Sequence, residues 1–297
     1  MATPQDDLNR LLSRQNFKDK KELEAFMQQF NENKIPEIPW EERTDTEKAA
    51  DLVADAREQH YIEDVMEKLE EAFQYDPYCV QAFVLKSNIS QKPEVKLNWL
   101  EKALEAGEEK LGNEYEKENA GNYWGLYETR PYMEALFQYA EELYLQGYVD
   151  DAIDVAERML YLNPNDNQGV RDYYSIWLID VGEELKFFEL QKKYPNDYSV
   201  FARFNKVLLL LRTNKIKEAK KEMINSMEFN PYVIKWLLSR GQLPEQGAYY
   251  NPEKESGALL YCYYTKSLWK STFGAYMFLK TYEKKAKQLI KLKETEE

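Results

Sequence analysis

The chain predicts an all-α fold, an α-solenoid of stacked helix-turn-helix pairs closed by a C-terminal helical cap. Two observations carry that prediction. Residues 133 to 166, MEALFQYAEELYLQGYVDDAIDVAERMLYLNPND, form one unit of two amphipathic segments separated by a glycine turn and ended by a proline. The same spacing then recurs at 200 to 233 and, less completely, at 46 to 79. A fixed period of this length means that each unit buries its apolar face only by stacking on its neighbours.

With Met133 as position 1, Ala140 falls at 8, Gly147 at 15, Ala152 at 20, Ala156 at 24 and Pro164 at 32, the small and punctuating positions of a tetratricopeptide repeat. With Val200 as position 1, Val207, Asn214, Ala219, Met227 and Pro231 occupy the matching places, and Asn replaces Gly at a turn that needs a left-handed residue. With Thr46 as position 1, Val53, His60, Val65, Ala72 and Pro77 follow the frame. The predicted architecture is therefore a tetratricopeptide-like right-handed superhelix, divided into an N-terminal helix and proline-bearing linker (1 to 43), the solenoid (44 to 240), and a loop with basic capping helices (241 to 297).

Taken in chain order, a polar, disordered start precedes one amphipathic helix through Leu23, Phe26 and Phe30, and the linker KIPEIPW leads to Trp40, placed to pin it to the first unit. Between the repeats, 80 to 106 and 167 to 197 read as shorter helix pairs ending near Ala103-Leu104 and at Tyr194-Pro195. Gly112, Gly121 and Gly125 break the helical pattern over 112 to 140, so this stretch is expected to be a loop or elbow. Thr129 is a candidate cap and Pro131 suits a first helical turn. Arg130 sits beside a helix N-terminus, where a cation opposes the dipole, and is expected to have a carboxylate partner. A loop with Gly241, Pro244, Gly247, Asn251 and Pro252 separates the body from helices over 255 to 293, which should bury Leu259, Tyr263, Leu268 and Phe278 and leave their lysines in water.

Composition narrows the function. A net charge of −13 disfavours general nucleic-acid binding, because phosphate contacts rest on clustered Lys and Arg. The charge is uneven: 41 to 72 holds 12 acids against 4 bases, whereas 264 to 293 holds 8 lysines against Glu283 alone. Cys79 and Cys262 are isolated, so neither a disulfide framework nor a zinc site is expected and a reducing cytoplasm fits. Early acids at Asp6 and Asp7 and apolar runs no longer than 207 to 211 predict neither a leader nor a membrane span. His60, the single histidine, falls in an interhelix turn. There is no phosphate loop, dinucleotide turn, nucleophile elbow or zinc-binding histidine pair, so no enzyme activity and no cofactor is expected.

The candidate binding groove combines two unusual segments. The first supplies Tyr123, Trp124, Arg130, Tyr132 and Phe137; the second, with four amides and an arginine around a turn, supplies Asn167, Gln168 and Arg171. In a stack of this type the starts of successive first helices line the groove, so the arginines would anchor acidic groups and the aromatics apolar ones. A calcium loop fits poorly: Asn163, Asn165 and Asn167 alternate like ligands, but Gly169 is displaced and Tyr174 stands where the bidentate Glu belongs. The predicted function is a non-catalytic adaptor for a peptide or protein segment, of open oligomeric state. The alternative is an RNA-associated or regulatory module in which Lys270, Lys280, Lys284, Lys285 and Lys287 meet phosphates and Trp269 stacks on bases.

The stretches YWGLYETRPYMEAL (123 to 136) and LNPNDNQGVR (162 to 171) resemble those of bacterial tetratricopeptide proteins of the suppressor of tumorigenicity seven family. ELEAFMQQF (22 to 30), the prolines at 36 and 39 and the acidic helix after Thr46 are similar to the N-terminal part of those proteins, so the resemblance covers roughly 20 to 230. It implies a tetratricopeptide solenoid and carries over no catalytic residue. Animal members are membrane-associated, and this chain shows no spanning run; some bacterial repeat proteins of this kind end in a metal-binding cysteine tail, where this chain has only Cys262.

Overall fold

The computed structural model describes residues 4–15, 17–32, 35–245 and 250–295, and every regular element among them is helical. Residues 1–3 and the loop residue Gly247 lie outside the described residues, and from Pro4 the start expected to be disordered is helical. The chain divides into two compact units, Met1–Asn167 and Gln168–Glu297.

The first unit contains α1 (Pro4–Ser13), α2 (Lys20–Glu32), α3 (Asp45–Arg57), α4 (Ile62–Tyr75), α5 (Val80–Ile89), α6 (Pro93–Leu111), α7 (Asn113–Asn119), α8 (Arg130–Leu145) and α9 (Val149–Leu162), with 3-10 turns at Trp40–Glu42 and Tyr123–Gly125. Helices α3 and α4, α5 and α6, and α8 and α9 pack as hairpins, and α3 stacks on α5 and α5 on α8. Small residues allow the close approach. Ala140, Ala152 and Ala156 of the best repeat are wholly buried, and Gly147 turns the chain at φ +87°. Thr44 caps α3 through a capping box with Glu47, which satisfies two backbone donors at the helix start. Trp40 packs edge-on to Tyr75 at 5.9 Å, pinning the proline linker as its sequence suggests.

Three elements differ from expectation. The N-terminal region holds α1 as well as α2, and α1 docks through charge: Arg10 reaches Asp7 at 3.2 Å and Asp51 at 2.5 Å, while Arg43 meets the other oxygen of Asp51 at 2.6 Å. All of these but Arg43 are fully buried residues, so the ion cluster is desolvated. The elbow is partly helical, since α7 fills 113 to 119 after Gly112 at φ +76°. Helix α6 also runs on to Leu111, beyond the expected end near Leu104.

The second unit contains α10 (Val170–Val181), α11 (Glu184–Lys193), α12 (Val200–Arg212), α13 (Ile216–Phe229), α14 (Tyr232–Leu238), α15 (Glu255–Ser271) and α16 (Ala275–Thr295). Helix α12 packs against α10, α13 and α15, which explains why Val207 to Leu211 are all buried: a helix apolar all round must be covered all round. Asn214 takes φ +58° at the α12–α13 turn, the role predicted for it. Helix α14 packs on both α15 and α16. Of the residues expected to be buried there, Leu268 is buried, but Tyr263 is 66% exposed because it lies on the outer face of α15. No helix among the described residues is long and apolar enough to cross a membrane.

Candidate functional site

The eight groove candidates divide between the units. Tyr123, Trp124, Arg130, Tyr132, Phe137 and Asn167 belong to the first, Gln168 and Arg171 to the second, and each group has its own surroundings.

In the first unit, Tyr132 is not an exposed contact but a core residue at the bottom of a cavity of about 480 Å³. Its hydroxyl donates to Glu108 at 2.9 Å and accepts from Arg158 Nη2 at 3.1 Å. Arg158 is held by both oxygens of Glu116, at 3.3 and 2.8 Å. Burial works against the guanidinium charge, but the hydrogen bonds to Tyr132 and Glu116 outweigh it and raise the Arg158 pKa. Tyr123 is likewise buried, edge-on to Tyr132 at 6.4 Å. The 3-10 turn that carries it is tied down by the Thr129 hydroxyl, which lies against the carbonyls of Tyr123 and Leu126. Thr129 therefore braces the elbow and makes no side-chain cap to α8.

Arg130 also departs from expectation. Among the described residues it makes no ion pair; its Nε donates to the Trp124 carbonyl at 3.2 Å and its guanidinium lies 5.8 Å from the Trp124 ring centroid. The aromatic face takes the place of the carboxylate. Trp124, Arg130 and Phe137 are half-buried, and Asn167 is exposed.

In the second unit, Arg171 lines a cavity of about 310 Å³ framed by α10, α11, α12 and α13. Its Nε donates to Asp197 at 2.8 Å, and its guanidinium lies over Tyr194 at 5.1 Å. On the same wall, Lys206 pairs with Glu222 at 3.0 Å. Arg203 completes the set: its guanidinium stacks over Phe229 at 4.2 Å, and its buried Nε has no hydrogen-bond partner among the described residues. The floor is apolar, with Phe187 and Leu190 buried, and Tyr198 stands exposed at the rim. Gln168, at the start of this unit, is half-buried.

Sequence reasoning missed Arg158 and Arg203. Arg203 had a signal, an arginine within the otherwise apolar run VFARFNKVLLLL. Arg158 had none, because its partners Glu108, Glu116 and Tyr132 come from α6, α7 and α8.

The basic C-terminal alternative loses its stacking residue. Trp269 is buried, and its Nε1 donates to the Tyr261 hydroxyl at 2.8 Å inside the unit, so its faces are covered by core side chains. Lys270, Lys280, Lys284, Lys285 and Lys287 are exposed, but several have acidic partners: Lys280 and Lys287 share Glu283 at 2.8 and 2.9 Å, and Lys285 meets Glu228 at 3.4 Å. Those two lysines hold the Glu283 carboxyl down to about 2. No family model matches the chain, and no curated protein or solved structure is significantly similar to it.

Proposed function

We propose that the protein is a non-catalytic adaptor that binds a peptide or protein segment, built as a tetratricopeptide-like right-handed solenoid of the suppressor of tumorigenicity seven type and capped by α15 and α16. The observation that carries this reading is the stacking of hairpins through their first helices, α3 on α5 on α8 in one unit and α10 on α12 in the other. Such stacking is how repeat proteins generate extended binding surfaces from small units. The arginine-bearing, aromatic-walled cavity of the second unit supplies the kind of side chains that dominate protein interfaces. The resemblance at 123 to 136 and 162 to 171 supports the family assignment, and a cytoplasmic location accords with the two free, buried thiols.

The test is a random-peptide display selection against the immobilised full chain, followed by calorimetry on the enriched peptides. Enrichment of related sequences that bind with one-to-one stoichiometry is the expected result. Selection that returns no binder to the folded chain would overturn the reading.

A further inference from the structure

We propose that the outer face of α16 docks on the outer face of α4 of a second copy of this chain, the two helices running parallel, so that copies join head to tail through a basic row and an acidic row.

Helix α4 turns Ile62, Glu63, Asp64, Glu67 and Glu70 outward, with Tyr61 exposed just ahead of its first turn. Its single lysine, Lys68, is already taken by Glu71 at 3.2 Å. Among the described residues, Glu63, Asp64, Glu67 and Glu70 make no ion pair. Helix α16 is the opposite. Lys280, Lys284, Lys287 and Lys291 are exposed along it, and Glu283 pairs with Lys280 and Lys287, which leaves Lys284 and Lys291 without an ion pair among the described residues. Ahead of these lysines stand Phe273, with its whole surface exposed, and the exposed Tyr276 and Met277. Clustered apolar side chains rimmed by charge mark an interaction surface.

The two faces match in spacing as well as in sign. Glu63, Glu67 and Glu70 are separated by four and three residues, and so are Lys280, Lys284 and Lys287. Each set therefore forms a row along one side of its helix. Laid side by side in parallel, the rows set the unmatched Glu67 against the unmatched Lys284 and bring Tyr61 and Ile62 to Phe273, Tyr276 and Met277. An antiparallel pairing joins the same charges but leaves the apolar residues at opposite ends, so the apolar contact fixes the direction. Exposed ion pairs contribute little each; the rows select the partner and the register, and apolar burial supplies the attachment. Repulsion between copies of net charge −13 is screened over about 8 Å at physiological salt, whereas the facing rows meet at contact distance. The contact is heterologous, so it either closes a ring or extends a chain of copies.

Sedimentation velocity of the full chain is the test. Wild type should associate with rising concentration at about 0.15 M salt and dissociate at about 1 M, where screening reaches about 3 Å. Reversing the acidic row by Glu63→Lys, Glu67→Lys and Glu70→Lys, or the basic row by Lys280→Glu, Lys284→Glu and Lys287→Glu, should leave each chain monomeric with native circular dichroism. Mixing the two reversed chains should restore association, which unfolded variants could not do. Phe273→Ser should weaken self-association about tenfold without changing the melting temperature. A short bis-maleimide should link Ile62→Cys of one copy to Met277→Cys of another in preference to Leu292→Cys, with Cys79 and Cys262 silent because they are buried. A wild-type chain that stays monomeric would overturn the proposal, whether or not its lysines then bind anionic vesicles. Association that survives either reversal alone, no rescue on mixing, or preferred linkage to Leu292→Cys would overturn it equally. None of these substitutions touches the cavity of the second unit, so peptide capture remains a separate question.

Discussion

Gly107 of α6 lies against the Tyr132 ring, and a Cβ added there would come 2.5 Å from Cδ2 and 3.2 Å from Cγ. The ring cannot retreat without giving up Glu108 and Arg158, so Gly107→Ala is expected to cost about 1–3 kcal/mol in urea unfolding. An unchanged midpoint would mean that the ring moves freely. Asp51 is a sharper case, since it neutralises both Arg10 and Arg43. Asp51→Asn leaves two cations without their shared carboxylate and should cost roughly 3–5 kcal/mol; a loss below about 1 kcal/mol would show that the cluster is solvated. Burial pushes the Cys79 thiol up to about 11. Because the folded chain then holds the proton more tightly than the unfolded one, stability should fall as pH rises from about 8.5 towards about 11, by up to about 1.4 kcal/mol per pH unit from this group. Burial raises Cys262 in the same direction. Ellman's reagent at pH 8 should therefore find neither thiol in the native chain and both in guanidinium; a rapid native reaction would contradict their placement.

At the scale of elements, the interhelix turns separate conformational need from packing. Gly147 has open space around its missing Cβ but stands at φ +87°, so Gly147→Ala is expected to cost about 1–2 kcal/mol through backbone strain alone. Asn214→Gly, at φ +58°, should be neutral or gain a few tenths of a kcal/mol. Thermal melts that show the same loss for both would refute the shared turn geometry. These turns were legible because glycine, asparagine and proline mark them directly, and α8, α9, α12 and α13 followed from apolar spacing. Helix α1 went unread although Leu8, Leu11 and Leu12 stand at helical spacing, and the ion pairs through Asp7 and Arg10 that bury its face are not specified by sequence. The short α7, NEYEKEN, is hidden because it has no apolar stripe and no buried residue. Around Arg130 the need for a partner was legible but its chemistry was not, because Trp124 is six residues away through a turn that sequence does not specify. Trp269 was misread from the lysines around it, although its spacing from Tyr261 and Thr265 places all three on one buried helical face.

Over the whole molecule, each unit is assembled from hairpins whose first helices pack on one another, and charge is used at both ends of that scheme. Buried pairs hold α1 to α3, and exposed pairs such as Lys285 with Glu228 tie α16 to α13. Among the described residues of the second unit, Arg203 on the central helix α12 is the cationic side chain with a buried, unmatched donor. The adaptor reading therefore locates binding at the hairpins of this unit and not on the lysine face of α16. Hydrogen–deuterium exchange of the full chain, with and without a peptide taken from the display selection, tests that claim most directly. The account predicts peptide-dependent protection within 170 to 206; protection confined to α16, or none anywhere under saturating peptide, would contradict it.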